Sequence, residues 1–196
     1  MNIASALLPL ISCLFLAALP YAVHAVDNNA LTAPRYSEHV YNLAGLSNVG
    51  RVSQHIYRGA LPDKTGYATL KQLGIKTVID MRTTGSEKTE VENAGMTSIS
   101  IPIEMSRNGL HAKVEQVLTV MADQARQPVY VHCRHGQDRT GIVVAAYRMK
   151  HQGWSLTNAE TEMQAFGFND VWINFKKFIR QYGNQQRLQQ NASRSK

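Results

Sequence analysis

Pro128-Val129-Tyr130-Val131, then His132-Cys133-Arg134-His135-Gly136-Gln137-Asp138-Arg139-Thr140-Gly141, then Ile142-Val143-Val144-Ala145-Ala146-Tyr147-Arg148-Met149 reads as strand, turn and helix in direct succession. The opening run is short, β-branched and aromatic, as in a buried strand. The closing run is apolar nearly all round, as a central buried helix requires, and Gly153 stands just past its expected end. The residues between them bridge a strand and a helix N-terminus, where free backbone N–H groups and the positive dipole end favour anions. Gly136 lets the backbone turn closely around a bound oxyanion.

The side chains of this turn suit anion chemistry. Cys133 is the candidate nucleophile, because a helix N-terminus and neighbouring cations favour the reactive thiolate form. Arg139 is placed to grip two phosphate oxygens through its planar fork. Thr140 offers the sulfur a hydroxyl hydrogen bond. Arg134, His135, Gly136, Gln137, Asp138, Thr140 and Gly141 are expected to line a bound phosphate. His132 is expected to orient the loop and not to move protons. A metal held by His132, Cys133 and His135 lacks a fourth ligand and would consume the nucleophile, so no metal or cofactor is expected.

These residues resemble the cysteine-dependent protein tyrosine phosphatase superfamily, whose pattern H-C-x(5)-R-[ST] is met at every fixed position. The stretches IYRGALPDKTGYATLKQLGIKTVIDMR, at 56–82, and AYRMKHQGWSLTNAETEMQAFGF resemble bacterial and fungal dual-specificity-like phosphatases. The resemblance covers residues 50–182. It implies metal-independent phosphomonoester hydrolysis through a cysteinyl-phosphate, on a tyrosine or dual-specificity protein phosphatase scaffold. Rhodaneses have a cysteine loop one residue shorter, and thiol-based arsenate reductases need further cysteines. This chain has only Cys13 and Cys133.

In that superfamily the general acid is usually an aspartate on a loop upstream of the cysteine. Here Ile101-Pro102-Ile103-Glu104-Met105-Ser106-Arg107 contains none. Glu104 and Asp138 are therefore equal candidates, followed by Asp80, which is expected to form a structural or rim pair with Arg82. The missing aspartate keeps open a phosphate-binding pseudophosphatase. Arg134 and His135 at the pocket mouth keep open an inositol-phosphate or phosphoinositide phosphatase.

Outward from the loop, Ile56-Tyr57, Thr77-Val78-Ile79 and Ser98-Ile99-Ser100-Ile101 read as further strands. Asp63 is expected to cap a helix carrying Tyr67, Leu70 and Leu73 and ended by Gly74. Leu110, Val114, Val117, Leu118 and Met121 keep a helical rhythm, as do Val171, Phe175, Phe178, Ile179 and Tyr182. Thr157-Asn158-Ala159-Glu160 reads as a capping box. Strands alternating with helices predict a single α/β domain, a mostly parallel central sheet flanked by helices, with the site at a strand's C-terminal end.

Residues 1–25 read as a secretory signal peptide, with an uncharged apolar stretch and small residues around His24. A lipoprotein box at Cys13 is a weaker reading. Residues 26–49 are expected to be an N-terminal extension, 50–182 the phosphatase domain and 183–196 a flexible polar tail. Loss of the signal would leave Cys133 as the sole cysteine, compatible with a periplasmic or secreted location. The net charge of +7 favours anionic ligands, a phosphorylated protein or a small phosphoester. No basic stripe with interleaved aromatics suggests nucleic acid. No stable membrane insertion is expected, and a monomer is.

Overall fold

The computed structural model describes residues 36–104, 106 and 109–195. The signal-peptide and Cys13 expectations lie outside the described residues. Among the described residues six strands, numbered in chain order, form one sheet in the order β1-β2-β3-β6-β4-β5. β1 (Glu38–His39), β2 (Gly50–Ser53) and β3 (Ile56–Gly59) pair antiparallel. β3, β6 (Val129–His132), β4 (Thr77–Asp80) and β5 (Thr97–Ser100) pair in parallel, so the sheet is mixed and mostly parallel.

Alternation along the central strands divides the core. Ile79, Val129 and Val131 face the larger cluster, with α3 (Leu110–Ala122), α4 (Asp138–Gln152), α5 (Leu156–Ala165) and α6 (Ile173–Arg194). Val78 and Tyr130 face the smaller one, with α1 (Gly66–Gln72) and α2 (Lys88–Asn93). Helices therefore cover both faces of the parallel strands, as such strands require. Asp80 and His132, in step with Val78 and Tyr130, point their polar side chains to the α1–α2 side.

Local signals place most of these elements. Asp63 Oδ1 accepts from the amides of Thr65 and Gly66 at 2.8 and 3.0 Å, opening α1, and Gly74 follows the helix at φ 80°. Gly153 at φ 69° stops α4.

Four local expectations are corrected. The cap of α5 is Ser155, whose Oγ accepts from Asn158 N at 3.2 Å; the Thr157–Glu160 box already lies inside the helix. Val171 is 67% exposed and precedes α6, so it does not join the apolar face of Phe175, Phe178, Ile179 and Tyr182. Residues 183–194 are no flexible tail but a continuation of α6: Gln190 Nε2 donates to Met149 O at 3.1 Å. Its composition of Gln, Arg, Leu and Ala favours helix once one end is docked. Nor is the chain before residue 50 wholly an extension. β1 adds to the sheet, and Ser37 N donates to buried Glu162 at 2.6 Å.

Candidate active site

Cys133 follows β6 and is 5% exposed, and Asp138 begins α4, so the loop spans the strand's C-terminal end and the helix N-terminus. Its carbonyls are held from outside. Cys133 O accepts from His132 Nδ1 (3.1 Å), Arg134 O from Leu61 N (3.2 Å), His135 O from Asn48 Nδ2 (3.1 Å) and Gly136 O from Arg58 Nη2 (2.8 Å). A trans peptide is planar with C=O and N–H opposed. Fixing these oxygens outward turns the amides of Arg134, His135, Gly136 and Gln137 the other way. Among the described residues none of those amides donates to a protein acceptor. The loop is thus a nest of free donors at a helix N-terminus, suited to a phosphate.

The side chains of the motif fit that cradle. Arg139 Nε and Thr140 Oγ1 are buried polar atoms without a hydrogen-bond partner among the described residues. Arg134 and His135 are exposed on the loop, and Gln137, Asp138 and Arg139 are half-buried. Gly136 sits at φ 71°, and a Cβ there would lie 2.5 Å from the carbonyl carbon of Gly59. Gly141 N donates to Gln137 O at 2.8 Å, starting the helical ladder.

The candidate acids are placed differently. Asp138 Oδ1 accepts from Asn169 N at 2.9 Å, which ties the loop to the turn between α5 and α6. Glu104 is exposed in the segment that follows β5, where Ser106 Oγ donates to it at 3.3 Å. Asp80 takes a forked contact from Arg82, with Nε to Oδ1 at 2.9 Å and Nη2 to Oδ2 at 2.8 Å. This pair is the one expected from sequence, and it occupies the carboxylate.

The support behind the loop includes residues that sequence reasoning missed. His132 is fully buried with Nε2 2.5 Å from Glu87 Oε1, and Tyr67 Oη donates to Glu87 Oε2 at 2.8 Å. Burial first, and then the bond to Glu87, pushes the Tyr67 phenol above its ordinary range. Glu87 lies in a polar stretch with no motif around it, so nothing local singled it out. Asp80, Glu87 and His132 bring ligand-type atoms within 4.8 Å of one another. Each already has a protein partner, and as arranged the cluster is a hydrogen-bonded brace. Asn48 and Arg58 were missed too; their targets are backbone carbonyls, which carry no sequence signal.

Arg58 is fully buried on β3, and its guanidinium carbon lies 4.0 Å from the centre of the Phe166 ring. Burial pulls its pKa down to about 10, with Glu162 and Cys133 acting in the opposite sense, so it stays cationic at neutral pH. His39 stacks on the other partner of this contact, Phe166, at 4.0 Å between centroids.

Residues 44–196 match the tyrosine phosphatase family. The chain belongs to that family. It is 34% identical over 149 residues to the dual specificity protein phosphatase TpbA of Pseudomonas aeruginosa, covering 76% of this chain and 66% of that one. The chain thus aligns with just under two thirds of the length of that tyrosine phosphatase relative. The crystal structure of P. aeruginosa TpbA superposes with TM-score 0.66 at 31% identity, covering 76% of this chain and 91% of the other. A TpbA variant with its cysteine replaced by serine, in complex with phosphotyrosine, gives 0.65 at 30% identity over 76% and 90%. Inositol diphosphatase DSP2 of Oryza sativa subsp. japonica is 31% identical over 126 residues, covering 61% of each chain.

Proposed function

We propose that this member of the tyrosine phosphatase family hydrolyses phosphomonoesters without a metal, acting as a tyrosine or dual-specificity protein phosphatase. The observation that carries the reading is the Cys133–Thr140 loop, in which the amides of Arg134–Gln137 have no protein acceptor among the described residues, Cys133 is buried and Arg139 Nε has no partner.

In the proposed mechanism the amides of Arg134–Gln137 and the Arg139 guanidinium hold the phosphoryl oxygens. The Cys133 sulfur attacks phosphorus and the ester oxygen leaves with a proton. Water then cleaves the S–P bond of the cysteinyl-phosphate, releasing phosphate and restoring the thiol. Donors fixed in advance stabilise charge that grows on the equatorial oxygens in the transition state. We assign the general acid to Asp138, which lies in the loop itself with Oδ1 fixed by the Asn169 amide. Glu104 is the rival.

A phosphorylated tyrosine is the favoured substrate: its leaving group, of pKa about 10, needs less help from an acid than an alkyl alcohol does. The TpbA complex with phosphotyrosine supports this class. A second reading, an inositol-phosphate phosphatase, rests on exposed Arg134 and His135, which can meet a further phosphate, and on likeness to the rice inositol diphosphatase. Arg134→Ala would then impair turnover of polyphosphorylated inositol while sparing phosphotyrosine. The uncharged apolar stretch within residues 1–25 supports export to the periplasm or beyond.

Aryl phosphate hydrolysis by wild type and Cys133→Ser, with reductant and EDTA, tests the activity. Turnover in EDTA that disappears with the serine variant is expected. Absence of turnover in a wild type that still binds vanadate would replace this reading with a phosphate-binding pseudophosphatase.

A further inference from the structure

The His135 and Gly136 carbonyls of the anion loop find their partners outside their own segment, in residues far upstream. Asn48 supplies its side-chain amide to two of the carbonyls near the site. Nδ2 donates to His135 O and to Phe166 O, each at 3.1 Å. Both partners are carbonyl oxygens, which only accept, so the NH2 group and not the amide oxygen must face them. Asn48 itself sits at φ 50°, a left-handed conformation that Asn tolerates better than most residues. Next along the loop, Arg58 Nη2 donates to Gly136 O at 2.8 Å, and Phe166 covers the guanidinium.

The Phe166 that Asn48 anchors by its carbonyl is therefore the same residue whose ring packs on Arg58 and His39. Asn48, Arg58 and Phe166 form one clasp, closed across residues far apart in the chain.

We propose that Asn48 and Arg58 are positioning residues of the anion loop: by holding the His135 and Gly136 carbonyls outward they aim the Gly136 and Gln137 amides at the phosphoryl group. This inference rests on the phosphatase reading above. Arg58 here acts on the loop backbone, while Arg139 serves the substrate. The clasp matters most when charge builds on the phosphoryl oxygens, because fixed donors stabilise the transition state more than the ground state.

Asn48→Asp keeps the shape and the left-handed tolerance but sets an acceptor against two carbonyls. Its kcat for an aryl phosphate should fall by about tenfold or more, with KM changing by less than about threefold. Affinity for vanadate, which adopts the transition-state geometry, should fall with kcat; affinity for inorganic phosphate should fall less. Arg58→Lys keeps a cationic donor and should recover part of the kcat lost in Arg58→Met.

A folded Asn48→Asp with kcat and vanadate affinity within about twofold of wild type would overturn the proposal. So would equal losses in Arg58→Lys and Arg58→Met, which serve if Asn48→Asp does not fold. Vanadate binding keeps the two readings apart. Wild type that binds vanadate without turnover sinks only the activity, and the variant-to-wild-type binding ratio then decides the clasp. Wild type that binds neither vanadate nor phosphate overturns both.

Discussion

Glu87 Oε1 lies 2.5 Å from His132 Nε2, and both residues are buried beneath the loop that starts at Cys133. The other His132 nitrogen, Nδ1, donates to the Cys133 carbonyl at 3.1 Å. A carboxylate on α2's N-terminal flank thus fixes the ring that fixes the first carbonyl of the loop. Glu87→Gln keeps the volume but removes one of the two carboxyl oxygens that contact His132 and Tyr67. It should lower stability by about 1–3 kcal/mol. It should also lower kcat by up to about a hundredfold through misplacement of the loop. Thermal melts and steady-state kinetics check this, and wild-type values in both would exclude the brace.

Gly136 and Gly153 share a left-handed backbone, at φ 71° and 69°, but not their surroundings. A Cβ on Gly136 would meet the Gly59 carbonyl carbon at 2.5 Å, whereas one on Gly153 meets nothing within 4 Å. Each alanine substitution should cost about 1–2 kcal/mol for the conformation alone. Gly136→Ala should in addition reduce turnover and vanadate binding by about a hundredfold, since the loop must move. Gly153→Ala should leave both intact. Equal activities in the two variants would contradict the close approach.

Acid stability should depend on the buried Arg148–Glu162 pair. Arg148 Nε and Nη2 each donate to Glu162 at 2.8 Å, and Arg148 also reaches Val52 O and Ser37 Oγ. Burial alone would raise the Glu162 carboxyl, but the hydrogen bonds and charge of Arg148 outweigh it and hold the carboxyl below its ordinary 4.5. A carboxylate depressed in the folded state contributes stability that is present above about 4.5 and lost as pH falls through its folded value. Glu162→Gln should therefore cost about 3–5 kcal/mol at neutral pH, because it leaves a buried guanidinium without its counter-charge. It should also flatten the loss of stability below pH 4.5, as read by urea unfolding across pH. An unchanged acid slope would mean that other carboxylates carry it.

The two rival acids are separated by their leaving-group dependence. Loss of a general acid typically costs about 10²–10⁴ in rate, and most where the leaving group is poor. Asp138→Asn should slow phosphotyrosine and alkyl phosphates far more than p-nitrophenyl phosphate, while Glu104→Gln should slow them evenly and slightly. The reverse pattern would transfer the role to Glu104.

The legible parts of this molecule were those with local causes. β6, the anion loop and α4 follow from a strand pattern, a glycine and an apolar run placed end to end. α1, α3 and the Asp80–Arg82 pair were legible for the same reason. Residues 183–194 were misread because their polar composition hides a helix that one docked end and its own propensity sustain. Val171 was misread because periodicity cannot tell the last exposed residue before a helix from the first buried one in it.

Sequence alone was enough to place the candidate site: a cysteine, an arginine and a threonine at the spacing that one strand–loop–helix turn must bring together. The tertiary structure alone decided how that turn is held. Glu87 reaches His132 across 45 positions, Arg58 reaches Gly136 across 78, and Asn48 reaches His135 across 87. Local periodicity and capping report contacts within a few residues, so they specify the loop's own residues. Apart from His132, the partners of its outward carbonyls come from other strands and loops, and only packing of the whole sheet brings them within hydrogen-bond distance.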